Sequence, residues 1–155
     1  MAKNPTITSQ PFLLADFVPF RLNRLADAVS QNLSEIYRDR FGLDIPEWRV
    51  LVTVGQRSGC NAQHVAASTR MHKTRVSRAV ASLSKRKLLE RASCAEDGRE
   101  LRLRLTKAGL GVYEVLVPLA LGRERTLLAK MSPVNLQGFI AALAQLEEAL
   151  GLNEE

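Results

Sequence analysis

Residues 61–88, NAQHVAASTRMHKTRVSRAVASLSKRKL, constrain the fold of this chain more than any other stretch. They read as two short helices with a tight break between them. Asn61 is a good N-cap for the first helix, and Val65, Ala66 and the small Ala67 let a second helix pack close. Ser68, Thr69 and Arg70 form the break, Met71 plugs the space between the helices, and the second helix begins near His72. At about 100° per residue, Ala79, Val80 and Leu83 share a side with Val76. Thr74, Arg78, Ala81 and Lys85 fall opposite, flanked by Arg75, Ser77 and Ser82, and no carboxylate occurs before Glu90.

A face of hydroxyls and cations on one helix is what reading DNA requires. Arginine bonds the O6/N7 edge of guanine in pairs, serine and threonine reach base edges or phosphates, and a small alanine permits close approach. The N-terminal part of such a helix touches the bases in the major groove. A solvated, basic surface helix is the bland alternative, since cationic amphipathic helices are common.

Where the charge lies weighs against that alternative. The 155 residues carry a formal net charge of +6, with 46% hydrophobic and 25% charged residues, an ordinary globular composition for one domain. Residues 60–107 alone hold 12 Lys/Arg against 4 Asp/Glu, and the rest of the chain holds 10 against 12. The positive charge belongs to one segment, an electrostatic footprint for phosphate.

Cys60 and Cys94 make neither a disulfide framework nor, with His64 and His72, a close metal-ligand pair, so no metal or cofactor is expected. The apolar run Phe12, Leu13, Leu14, Ala15 is too short for a signal-peptide core, and no run approaches membrane-spanning length. A cytoplasmic chain without membrane contact is expected.

Residues 1–11 are polar with two prolines and read as a flexible arm. A long helix follows over about 12–42: Leu14, Val18, Leu22, Leu25, Val29, Leu33 and Ile36 recur at steps of three and four, with Pro19 as a kink or a start. Gly42 is its C-terminal cap. Asp44, Ile45 and Pro46 open the next helix, which runs to about Arg57 with Trp48, Leu51, Val52 and Gly55 on one side.

Beyond Leu88 the period changes. Residues 89–93 form a short strand, and 101–105, Leu-Arg-Leu-Arg-Leu, alternate strictly. Asp97, Gly98 and Arg99 supply a turn with a cation at its tip. A helix pair followed by a basic hairpin is a winged helix-turn-helix, whose wing can reach the minor groove.

Thr106 caps a further helix running towards Lys130, apolar almost all round in its middle and kinked by Pro118. Ser132 and Pro133 open the last helix, with Leu136, Phe139, Ile140, Leu143 and Leu146 at helical spacing and Gly151 at its end. The first and last helices carry more apolar surface than a small core needs, which predicts a dimer interface. The expected architecture is mainly α with a small β-hairpin: one domain over 12–150, a winged helix-turn-helix at about 46–106, and long dimerisation helices at about 12–42 and 107–150.

This order of elements resembles the MarR family of bacterial transcriptional regulators over nearly the whole chain. The most specific pieces are Arg75-Val76-Ser77-Arg78, Asp97-Gly98-Arg99, the leucine-rich strand after it, and Leu105-Thr106-Lys107-Ala108-Gly109. The resemblance implies that Thr74, Arg75, Ser77 and Arg78 meet the major groove, and that Arg99 enters the minor groove, steadied by Asp97. Lys73 and Lys85 extend the same cationic face. It further implies a homodimer on an inverted-repeat operator in double-stranded DNA, acting as a repressor released by a small ligand.

The ligand is expected where the first helix, the Pro46 helix and the helix after Thr106 converge. Phe17, Phe20 and Trp48 offer aromatic walls there, and Arg21 and Arg24 offer cations for an anion. Stretches 20–21 and 41–49 resemble members responding to aromatic acids or their CoA thioesters. Each of these side chains also has a plain reading as core or solvated surface. Oxidant-sensing members use a cysteine early in the first helix, and this chain has none before Cys60. Cys60 and Cys94 sit where oxidation would disturb DNA binding, but a structural or surface role is favoured over a redox-sensing regulator.

Two other classes compete with a ligand-released repressor. One is a ligand-independent architectural or counter-silencing DNA-binding protein; the other is a winged helix that binds a protein partner. An enzyme is disfavoured: there is no phosphate-cradling glycine loop, no paired-carboxylate motif, and neither histidine has a nucleophile partner, so no catalytic residue is assigned.

Overall fold

The computed structural model describes residues 12–57, 59–93 and 101–152. Among them are six α-helices and one two-stranded antiparallel sheet. A 3-10 turn, Leu14–Asp16, precedes α1 (Val18–Phe41), so Pro19 stands in the first turn of the helix, where its missing N–H has no partner to lose. Gly42 ends α1 in the left-handed region with φ +58°, and its N–H bonds the Arg38 carbonyl at 2.8 Å. Two compact units make up the chain, Met1–Leu33 and Ser34–Glu155.

In the first unit the apolar residues Leu22, Leu25 and Val29 line an exposed stripe of α1. The rings of Phe12 and Phe17 meet edge-on at 5.4 Å, and the Arg24 guanidinium lies over the Phe20 ring at 5.9 Å.

The second unit is built on α2 (Ile45–Gln56), α3 (Ala62–Thr69), α4 (Lys73–Lys85), β1 (Leu89–Ser93), β2 (Leu101–Leu105), α5 (Lys107–Leu128) and α6 (Pro133–Ala149). Asp44 and Glu47 form a reciprocal capping box at the start of α2. The buried side of α2 is Glu47, Val50, Leu51 and Val54, one residue out of phase with the expected stripe. Trp48, Val52 and Gly55 are half-buried instead, because α2 is flanked on several sides and Gly55 backs onto the Tyr113 ring of α5. The core brings Val50, Leu51 and Val54 together with Val65, Val76, Val80, Leu83, Leu89, Leu103 and Leu116, all buried.

The apolar middle of α5 is left largely uncovered within one chain. Only Gly109 and Leu116 are buried in it, while Leu110, Val115 and Leu121 are exposed. Pro118 stands inside an α5 that continues across it. No residue of α6 is buried, and Gly151 follows the helix at φ +63°. Among the described residues no single helix is long and apolar enough to cross a membrane.

Candidate nucleic-acid interface

The interface is assembled by the α3–α4 pair and the hairpin beside it. The Asn61 side chain caps α3, accepting the His64 N–H at 2.8 Å. The break falls on Arg70, which adopts the left-handed conformation at φ 54° and returns its N–H to the Ala67 carbonyl at 3.3 Å. Met71 is buried beneath this turn. His72 then caps α4, its Nδ1 accepting the Thr74 N–H at 3.3 Å, so this ring nitrogen is an acceptor.

Burial of Val76, Ala79, Val80 and Leu83 fixes which side of α4 faces out. Lys73, Thr74, Arg75, Ser77, Arg78 and Lys85 are all exposed, on one helix without a carboxylate. None of its cations is engaged in an ion pair among the described residues. Ser82 departs from expectation: it turns inward and donates to the Glu47 carboxylate at 2.5 Å.

The hairpin pairs β1 and β2 in the register Leu89↔Leu105, Arg91↔Leu103 and Ser93↔Leu101, with Glu90 opposite Arg104. Leu103 is buried, whereas Arg102 and Arg104 are exposed, as strict alternation requires. Sequence reasoning missed a third piece of this sheet. Cys60 bridges the other edge of β2, its N–H bonding the Leu103 carbonyl at 3.2 Å and its carbonyl accepting the Leu103 N–H at 2.8 Å. Gly59 before it takes φ +123°, and a Cβ there would lie 3.2 Å from the Leu103 carbonyl oxygen. That glycine was the available signal, but a single bridging residue carries no periodicity. Asp97, Arg99 and Cys94 lie outside the described residues.

Between α3, α4 and the hairpin lies a hollow of about 460 Å³, with Gln63, Lys73, Ser77 and Arg91 at its edges over Val80 and Leu103. Cys60 is buried, and burial pushes its thiol pKa up, more than the nearby Arg57 lowers it. The expected effector residues fall in both units. Phe17, Phe20, Arg21 and Arg24 belong to the first and are exposed. Trp48 belongs to the second, where one face of its ring stacks on Tyr37 at 5.3 Å and 10°. Among the described residues no group of three or more His, Cys, Asp or Glu is placed to hold a metal ion.

Known proteins share this arrangement. The family model of the MarR family matches residues 41–100, from the end of α1 to the residue before β2. The HTH-type transcriptional repressor IacR of Pseudomonas putida is 26% identical over 102 residues, which cover 66% of this chain and 60% of that protein. The crystal structure of a MarR/EmrR family transcriptional regulator from Acinetobacter sp. ADP1 superposes with a TM-score of 0.80 at 26% identity, over 92% of this chain and 100% of that one. CouR from Rhodococcus jostii RHA1, solved bound to p-coumaroyl-CoA, shares the fold at a TM-score of 0.75 and 20% identity, over 89% and 95% of the two chains. The capped α3–α4 pair, the paired hairpin and the six-helix order agree with these likenesses, and the chain is similar in sequence and fold to the MarR family of winged helix-turn-helix transcriptional regulators.

Proposed function

We propose that this protein is a transcriptional repressor that binds an inverted-repeat operator as a homodimer and is released by a small aromatic carboxylate or its CoA thioester. The carrying observation is the outer face of α4, where Lys73, Thr74, Arg75, Ser77, Arg78 and Lys85 are exposed together while the apolar stripe holds the opposite face in the core. In this reading the N-terminal half of α4 enters the major groove, with Arg75 and Arg78 on base edges and Lys73 and Lys85 on phosphates. Arg99 reaches the minor groove and Asp97 steadies it. The exposed apolar residues of α1, α5 and α6 meet their copies across a two-fold axis. The single domain over 12–150 is then the folding unit of each protomer.

The similarity to the repressor IacR supports repression, and the p-coumaroyl-CoA held by CouR supports an aromatic acyl effector. Effector contacts are assigned to Phe17, Phe20, Arg21, Arg24 and Trp48, with the arginines as anion partners.

The test is enrichment of duplexes by the full-length protein from a randomised pool, followed by footprinting. Enrichment of an inverted repeat with half-site centres about 10–10.5 bp apart is expected. Uniform, sequence-independent retention would favour an architectural DNA-binding protein and overturn the repressor reading.

A further inference from the structure

Glu47 is buried, and its carboxylate joins three helices. Within α2 it completes the capping box: the Asp44 N–H donates to Oε2 at 2.8 Å, and the Glu47 N–H donates to Asp44 Oδ1 at 2.8 Å. A helix cap needs nothing more. Yet Oε1 also accepts the hydroxyl of Ser82, from the last turn of α4, at 2.5 Å. Arg86, the C-terminal cap of α4, lies 3.8 Å from Oε2. Its guanidinium also donates to the Gly42 carbonyl at 3.1 Å and to the Phe41 carbonyl, at the open end of α1.

The apolar stripe of α4 cannot supply what these bonds supply. Hydrophobic contact is non-directional and tolerates a small rotation of a helix about its axis. Hydrogen bonds to a buried carboxylate are directional and strong, and a displaced partner leaves the charge undersatisfied. A rotation of about 10° would move an arginine tip on the outer face by roughly 1 Å, given the breadth of a helix with its side chains. Bidentate pairing with a base does not survive such a shift.

Resting on the DNA-binding reading above, we propose that Glu47 is a positioning residue for α4. With Ser82 and Arg86 it sets the rotation of the helix, and through it the aim of Arg75 and Arg78, while none of the three meets DNA. Discrimination between sequences therefore depends on side chains at the C-terminal end of α4, one or more turns along the helix from those that meet the bases. It also follows that Arg86, although cationic and in the basic segment, is spent on the protein and not on phosphate.

The test compares wild type with Ser82→Ala, Ser82→Thr and Arg86→Lys. The probes are one duplex enriched by the wild-type protein from a randomised pool and one scrambled duplex of equal length and composition. Ser82→Ala is expected to weaken the enriched duplex about tenfold, leaving the scrambled duplex and the salt slope unchanged, because no phosphate contact is lost. Ser82→Thr keeps the hydroxyl and restores the affinity. Arg86→Lys keeps the charge but not the paired bonds to the α1 carbonyls, so it loses discrimination as Ser82→Ala does. Discrimination within twofold of wild type in both Ser82→Ala and Arg86→Lys would overturn the proposal. Equal weakening on both duplexes with a shallower salt slope would overturn it too, by placing these side chains on DNA. Should the wild-type protein enrich no duplex, the DNA-binding reading itself fails and the proposal falls with it.

Discussion

Gly109, in the first turn of α5, backs onto the main chain at Leu88: a Cβ added to it would lie 1.9 Å from the Leu88 carbonyl oxygen. The same corner is tied by Thr106, whose N–H donates to the Leu88 carbonyl at 3.2 Å and whose hydroxyl donates to the Lys87 carbonyl at 2.6 Å. The hydroxyl oxygen also accepts the Gly109 N–H at 3.0 Å, capping α5. The start of α5 is thereby locked to the turn between α4 and β1.

Gly109→Ala should therefore destabilise the protein by about 1–3 kcal/mol, because the clash is with backbone and cannot be relieved by a rotamer. Gly111→Ala, two residues on and open to space, is the control. It should stabilise by about 0.5–1 kcal/mol through helix propensity alone. Urea denaturation of both variants decides; a Gly109→Ala midpoint equal to wild type would show that the corner yields.

How far the sequence could be read is plain at this corner. Leu105-Thr106-Lys107-Ala108-Gly109 marked the helix start and the cap, but the partner of Gly109 lies across a turn that no local pattern reports. The buried stripe of α4, the ends of β1 and β2, and the caps at Asn61, Asp44, Thr106 and Ser132 were all legible, since each rests on local spacing or a neighbouring donor. The buried side of α2 was misplaced by one residue because α2 is flanked on several sides, which blurs a single stripe. Ser82 was misread as part of an outer polar face because its partner Glu47 is 35 positions away, and no local pattern ties Arg86 to Glu47, 39 positions before it.

On DNA, Arg78 and Lys85 should behave differently. Arg78→Ala should lose roughly 1–3 kcal/mol on the enriched site and little on scrambled DNA, as removal of a bidentate base contact does. Lys85→Ala, near the C-terminal end of α4, should weaken both duplexes alike and flatten the salt dependence by about one phosphate. Affinity measured across a salt series separates the two. An unchanged slope for Lys85→Ala would take that side chain off the backbone.

The exposed apolar residues of α6, Ile140 and Leu146 among them, set the next expectation. A protomer leaving such side chains in water gains by covering them with a second copy. Light scattering should give a dimer at micromolar concentration, and Leu146→Glu should release monomers and abolish binding to an inverted repeat. A monomeric wild-type protein would contradict the assembly.

Cys60 should be slow to react in the folded state. Burial raises its thiol pKa, so little thiolate is present at neutral pH, and the Cys60 peptide should be alkylated by iodoacetamide far faster in denaturant than in buffer. The raised pKa also has a sign in stability. The contribution is complete at neutral pH and declines as pH climbs through the thiol range, where the unfolded chain ionises first. Cys60→Ala should lose less stability than wild type between neutral and strongly alkaline pH. Rapid native alkylation would reopen a redox role.

The effector gives the last prediction, and linkage makes it a strict one. In the first unit Arg21 and Arg24 flank a hollow of about 350 Å³ with Leu22 and Leu25, and the Arg24 guanidinium lies over Phe20. An aromatic carboxylate finds both of its needs in such residues, a cation for the anion and apolar surface for the ring. Coupling between effector and DNA sites is typically 1–3 kcal/mol, so a true effector should weaken operator affinity by about 5–150-fold. The enriched duplex must then weaken effector binding by the same factor, because the two measurements close one thermodynamic cycle. Benzoate, 4-hydroxycinnamate and p-coumaroyl-CoA are the probes, titrated against the protein–duplex complex by fluorescence anisotropy and against free protein by calorimetry. Arg21→Ala and Arg24→Ala should reduce the release while leaving duplex affinity without effector unchanged. A response that survives both substitutions would move the anion site elsewhere, and no response to any of the three probes would remove aromatic acids as the effector class.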